Sequence, residues 1–377
     1  MCIRDSYNTY GVDENKLDLI FKAYDIRGIY GETLTPEIAF KIGFAYADFV
    51  DSEKIIIGHD GRLSNKEMLN AVASGVKKKS KSILYIGTVP TDVVYSLSGL
   101  ENLPGIVITA SHNPKEWTGL KFCNKGARPI GIETGLLDIK EKVENLDIDI
   151  EIQTEFQEED IVDSYIEHLN SLVNPADVKN TISFIIDAGN GALGSVIEEL
   201  HNSYKLNFDE LYMEVDGNFP NHPADPSDPE NLRELKELVI SKNKAFGVAF
   251  DGDADRLIVS DEKGNIIDGD QLLAVLAIKL QREGELKNST IVGTSMTNHA
   301  FDLWLNNIGI NLMRTDVGDR YISEAIKQFD YSLGGEPSGH ILIPHLSKTG
   351  DALMNALIIL CELVRENKLS SNFFKKY

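Results

Sequence analysis

Only three cysteines occur in 377 residues, Cys2, Cys123 and Cys361, and their spacing pairs none of them. That excludes a disulfide framework and a cysteine-ligated zinc site, and it fits reduced thiols in a cytoplasmic protein. No apolar run is long enough to cross a bilayer, and the N-terminus lacks an apolar signal segment. The opening MCIRDS has no periodicity and carries no fold information. Positive charge is scarce, with 37 Lys and Arg against 59 Asp and Glu and a formal charge of −22. Such a surface repels nucleic acid and anionic membranes, so neither is expected as a partner. An anionic small molecule remains admissible where Lys and Arg are gathered locally. Apolar residues make up 42% and charged residues 25%, an ordinary globular balance in a chain too long for one core.

What the chain does have is a recurring unit: an apolar strand running into a polar, glycine-containing loop. IIIGHDGR, GIVITASHNP, FIIDAGNG, GVAFDGDADR and SLGGEPSGH all follow it. Helical stripes separate them, such as the one begun at Thr35-Pro36 and the one over 65–79. Residues 7–20 read as a mobile or helical lead-in. The acidic stretch 147–160 reads as a solvated connector. This rhythm predicts an α/β protein of three consecutive related units, with mostly parallel mixed sheets around a central cleft. The expected boundaries are 1–155 with the serine loop, 156–263 with the acidic loop, and 264–377 with the GEPSGH loop.

Three loops could carry chemistry. Residues 105–109 deliver a small, exposed hydroxyl, Ser111, onto a turn forced by Pro114. Strand C-termini are where open α/β sheets place reactive groups, although a turn or capping serine explains the local sequence equally well. Asp251, Asp253 and Asp255 alternate with small residues between two apolar runs. Clustered carboxylates repel unless a cation neutralises them, and hard oxygen ligands suit Mg²⁺. An EF-hand fits worse, because Arg256 stands where its glycine is required. Glu336, Ser338 and His340 offer polar groups suited to sugar hydroxyls, or a tight turn with a capping serine. Arg27, Arg62, Lys121 and Arg256 supply the cations a phosphorylated ligand needs. Together these favour phosphoryl transfer through a phosphoserine, with Lys121 and His340 as acid/base candidates. A hydrolytic triad fits poorly: no G-x-S-x-G elbow surrounds Ser111, and His112 is not expected to reach back to its own neighbour.

FKAYDIRG (21–28), TASHNP (109–114), DGDADR (251–256) and GEPSGH (335–340) together resemble the α-D-phosphohexomutase superfamily, in its bacterial phosphomannomutase/phosphoglucomutase branch. The resemblance implies an enzyme that moves phosphate between O6 and O1 of mannose or glucose phosphates through a 1,6-bisphosphate, which also serves as activator. It implies catalytic roles for Ser111, Arg27, Lys121 and His340. Mg²⁺ would be held by Asp251, Asp253, Asp255 and the Ser111 phosphate. Substrate contacts would come from Glu336, Ser338, His340, Arg256 and Thr315. A monomer or weak homo-oligomer is expected.

Three features depart from the family pattern. Ala254 stands where the family usually has glycine. RTDVGDRYI (314–322) looks more like phosphoglucosamine mutase, which is the first alternative. The expected fourth domain is absent from the sequence, which predicts impaired turnover. Two further alternatives are an inactive sugar-phosphate binder and an aspartyl-phosphate phosphatase using Asp251. The phosphatase is disfavoured because Asp255 sits where such enzymes carry Thr or Val.

Overall fold

The apolar runs at 54–59 and 105–108 become neighbouring parallel strands, Lys54–His59 and Gly105–Ile108, in the computed structural model, which describes residues 16–153, 155–178 and 182–375. Cys2, MCIRDS and the lead-in before Lys16 lie outside the described residues; Lys16–Ile20 is a short helix. The first sheet runs in the order Ile26–Ile29, Trp117–Asn124, Gly105–Ile108, Lys54–His59, Ser82–Thr88. The second runs Ile266–Ile267, Leu257–Asp261, Phe246–Phe250, Ser183–Asp187, Asn207–Leu211. The third runs Asn311–Thr315, Thr290–Thr294, Gly334–Gly335, Ile341–Leu342. Helices cover the sheets, giving three α/β/α layers.

The sheets are mixed, and antiparallel pairing takes a larger share than a βαβ rhythm suggests. Trp117–Asn124 returns antiparallel to Gly105–Ile108, and Leu257–Asp261 returns antiparallel to Phe246–Phe250. The serine loop and the acidic loop lie at these returns, so each is held by the strands on both sides.

The acidic stretch 147–160 is solvated along its described residues, as expected of a connector, and it is also anchored. Ile148, Ile152 and Phe156 pack on the first unit's core, and Gln153 N donates to Ser74 Oγ at 2.8 Å. Glu159 N donates to Tyr85 O at 2.8 Å. An apolar residue at every fourth position anchors the strap while its carboxylates face water. The strand expected to lead into the loop of SLGGEPSGH is reduced to Gly334–Gly335.

The helices Pro36–Phe49 and Asn65–Lys78 cross closely because glycine sits at both points of contact. A Cβ on Gly75 would meet Phe40 O at 2.1 Å, and one on Gly43 would meet Val72 O at 2.2 Å. Backbone atoms cannot move aside as a flexible side chain can. Gly75→Ala is therefore expected to lower stability by about 2 kcal/mol, despite the better helix propensity of alanine. Urea denaturation reads this directly; an unchanged midpoint would contradict it. Among the described residues, no helix is long and apolar enough to cross a membrane.

Candidate active site

Ser111 follows the strand Gly105–Ile108 by three residues and takes a left-handed backbone, φ 51°. Its hydroxyl is not exposed as expected: the residue is 1% accessible, covered by the second unit's acidic loop. Ser111 Oγ donates to Asp251 Oδ2 at 2.8 Å, joining loops 140 residues apart. His112 does reach its neighbour, with Nδ1 3.3 Å from Ser111 Oγ. The left-handed turn at Ser111 makes this possible. Burial, with Arg256 and Arg27 nearby, pushes His112 down to about 4, so its ring is a free base at neutral pH.

The acidic loop links Phe246–Phe250 to Leu257–Asp261, whose first pair is Leu257 with Phe250. All three carboxylates are buried, and one ligand oxygen from each lies within 4.8 Å of the others. Ala254 is left-handed at φ 57°, which is the conformation glycine adopts most easily. Asp251 Oδ1 accepts from Asp255 N at 3.0 Å and Arg256 N at 3.2 Å. Asp253 Oδ2 accepts from Thr91 Oγ1 at 2.6 Å and Lys121 Nζ at 2.7 Å. Lys121 Nζ also donates to Asp255 Oδ2 at 2.6 Å. Asp253 Oδ1 and Asp255 Oδ1 are buried without a hydrogen-bond donor. Such orphaned, convergent carboxylate oxygens fit a hard divalent cation.

The charges sort themselves accordingly. Burial, with Asp255 and Asp253 beside it, raises Asp251 well above the ordinary carboxylate range. Burial also opposes ionisation of Asp255, but Lys121, His340 and Arg256 outweigh it and hold Asp255 well below that range. Burial works against the Lys121 ammonium, yet Asp253 and Asp255 raise it well above its usual value. His340 is similarly buried, but Asp255 and Asp319 push it up to about 9. Lys121 and His340 thus hold protons, while His112 does not.

The third unit closes the site. His340 Nδ1 lies 3.1 Å from Asp255 O, and Leu257 N donates to Gly339 O at 3.3 Å. Gly339 is obligatory there: its φ is +92°, and a Cβ would meet Leu257 O at 2.1 Å. Glu336 Oε1 accepts from Gly318 N at 3.0 Å. Ser338 Oγ and Arg256 Nε make no hydrogen bond among the described residues. Thr315 Oγ1 contacts Gly293 O and Asp316 O at 3.2 and 2.9 Å, within its own unit. Arg27, paired with Gly119 across the sheet edge, bonds Asp25 Oδ2 at 2.6 Å and Asn113 Oδ1 of the serine loop.

Arg62 stands apart from the other cations. Its side chain is fully buried, and all its donors are engaged by protein acceptors, so it has none left for a phosphorylated ligand. The anchoring role usual for a loop arginine applies to it. The contact of His112 with Ser111 runs against the sequence expectation, which named that adjacency and set it aside.

Three models of the phosphoglucomutase/phosphomannomutase family, for its alpha/beta/alpha domains I, II and III, match residues 18–148, 163–264 and 268–377. The chain belongs to this family. Among its relatives, phosphoglucosamine mutase from Thermoanaerobacter sp. (strain X514) is 37% identical, over 92% of this chain and 78% of that protein. Phosphoglucosamine mutase from Thermotoga maritima is 36% identical, over 93% of this chain and 80% of that one. The crystal structure of a phosphoglucomutase/phosphomannomutase family protein from Burkholderia thailandensis superposes with a TM-score of 0.83 at 28% identity. It covers 96% of this chain and 80% of that chain. The chain is accordingly an enzyme of the phosphohexomutase superfamily, and the family's three-unit α/β architecture is the one described above.

Proposed function

We propose that the enzyme is a phosphoglucosamine mutase, interconverting hexosamine 6-phosphate and 1-phosphate through a phosphoserine at Ser111. The observation that carries the chemistry is the 2.8 Å contact between Ser111 Oγ and Asp251 inside a buried three-carboxylate cluster. The substrate reading rests on the two relatives named above, both called phosphoglucosamine mutase. It replaces mannose or glucose phosphate as the leading substrate, in agreement with the segment 314–322.

In the forward step the bond from phosphorus to Ser111 Oγ breaks, and a bond to the sugar's free oxygen forms. The sugar hydroxyl proton needs an acceptor, and His112, held neutral beside Ser111, supplies one. The serine oxygen leaves with a developing negative charge, which the protonated Lys121 at the cluster stabilises electrostatically. Arg27 steadies the serine loop through Asn113. The resulting bisphosphate turns over in the cleft and returns its other phosphate to Ser111. Asp251, Asp253 and Asp255, with the Ser111 phosphate, would hold Mg²⁺, which when bound offsets charge on the transferring group. Glu336, Ser338 and His340 would meet sugar hydroxyls, with Arg256 and Thr315 toward the phosphate side.

A panel of glucosamine, glucose and mannose 1-phosphates, each with its 1,6-bisphosphate as activator, tests the substrate. The reading predicts the highest kcat/KM for the amino sugar, by about tenfold or more, the discrimination expected when a site is built around one extra polar group. Equal or better rates on mannose or glucose phosphate would return the assignment to the hexose branch.

A further inference from the structure

The guanidinium of Arg62 has five N–H donors, and each has an acceptor. Nε donates to Asp60 Oδ2 at 3.1 Å. One terminal nitrogen donates to Pro114 O at 2.7 Å and Trp117 O at 3.1 Å. The other donates to Ser111 O at 2.7 Å and Asn113 O at 2.6 Å. Four carbonyls of one loop therefore converge on a single planar group. Asp60 completes the frame: its Oδ2 accepts from Thr109 Oγ1 at 2.7 Å, and Thr109 Oγ1 in turn accepts from Ser111 N at 2.8 Å. Both the amide and the carbonyl of Ser111 are thus tied to the Asp60–Arg62 pair, one through Thr109 and one directly. What remains free is the side chain, whose hydroxyl turns to Asp251.

We infer that Arg62 is a positioning residue for the phosphoryl-carrying serine: its guanidinium fixes the left-handed backbone of Ser111 and thereby the direction of Oγ toward the carboxylate cluster. The inference rests on the phosphoserine reading above. A non-glycine residue at φ 51° is strained, and persists only where its surroundings over-determine it. Five hydrogen bonds from a buried cation do that. Lysine cannot substitute, because an ammonium has three donors on a point charge and would leave at least two of these acceptors unmet. The ring centroid of Phe219, from the second unit, lies 5.4 Å from the guanidinium carbon and packs over the cation.

The test compares wild type, Arg62→Lys and Arg62→Ala by steady-state kinetics, Mg²⁺ titration and phosphate incorporation at Ser111 from labelled hexose 1,6-bisphosphate. Displacing a reacting atom by an ångström costs about 10²-fold, so both variants are expected to lose about that factor in kcat, with KM within about twofold. Phosphate incorporation should slow in parallel, and the Mg²⁺ affinity of the unphosphorylated enzyme should stay unchanged because the three carboxylates are untouched. Millimolar guanidinium should restore part of the turnover of Arg62→Ala and none of that of Arg62→Lys. If Arg62→Ala does not fold, Arg62→Lys decides by its kcat, KM and Mg²⁺ affinity. Wild-type rates in the folded variants would overturn the inference, as would a loss carried by KM or by Mg²⁺ affinity, or a folded Arg62→Ala that guanidinium fails to rescue. Failure of the phosphoserine reading is distinguishable, because wild type itself would then incorporate no phosphate at Ser111.

Discussion

Replacing Ser111 with alanine is expected to lower turnover by at least about 10³-fold, because the phosphoserine reading makes its Oγ the phosphoryl carrier and alanine has no such atom. The fold should survive. Alanine and serine have the same difficulty at φ 51°, and the methyl occupies the space of the CH₂ already buried there. The lost hydrogen bond to Asp251 contributes only about 1 kcal/mol, and the other oxygen of Asp251 keeps its two amide donors. A coupled mutase assay beside a thermal melt checks both halves. Residual turnover near the wild-type rate would remove Ser111 from the reaction.

Asp253→Asn is the second large effect. One oxygen of Asp253 is occupied by Thr91 and Lys121, and the other is buried with no donor. An amide must place its NH₂ either against those two donors or toward the cation position, and either choice is repulsive. Affinity for Mg²⁺ should fall on the order of 10²-fold, equivalent to about 2.7 kcal/mol. Binding to the native state alone raises the melting temperature by mass action, so the Mg²⁺-dependent rise seen in wild type should shrink to near nothing in the variant. Superimposable titrations of the two proteins would show that this carboxylate is not a ligand.

The three-unit α/β architecture was legible because each unit announces itself locally, as an apolar run ending in glycine and polar residues. The strands Lys54–His59, Gly105–Ile108 and Phe246–Phe250 follow directly from that pattern. Sheet direction was harder. Whether a strand returns antiparallel depends on loop geometry, so Trp117–Asn124 and Leu257–Asp261 made the sheets more mixed than periodicity implied. The solvated character of 147–160 was legible from its charge, but its three apolar anchors, which decide where it lies, were not, because the charge outweighs them in any window average.

At the site, residue type singled out loops that the fold brings together, but not what each side chain touches. The burial of Ser111 arises from a loop 140 residues away, and the engagement of Arg62 from carbonyls about fifty residues away, such as Ser111 O at a separation of 49. Neither separation leaves a trace in local sequence. The proximity of His112 to Ser111 was obscured differently: it needs a left-handed backbone at a serine, which sequence preferences argue against.

The most direct measurement is the location of enzyme-bound phosphate after incubation with labelled hexose 1,6-bisphosphate and Mg²⁺. Acid-stable label recovered in the peptide containing Ser111, absent from Ser111→Ala, is the expected result. Hydroxylamine-labile label in the peptide containing Asp251, or label that persists in Ser111→Ala, would contradict it.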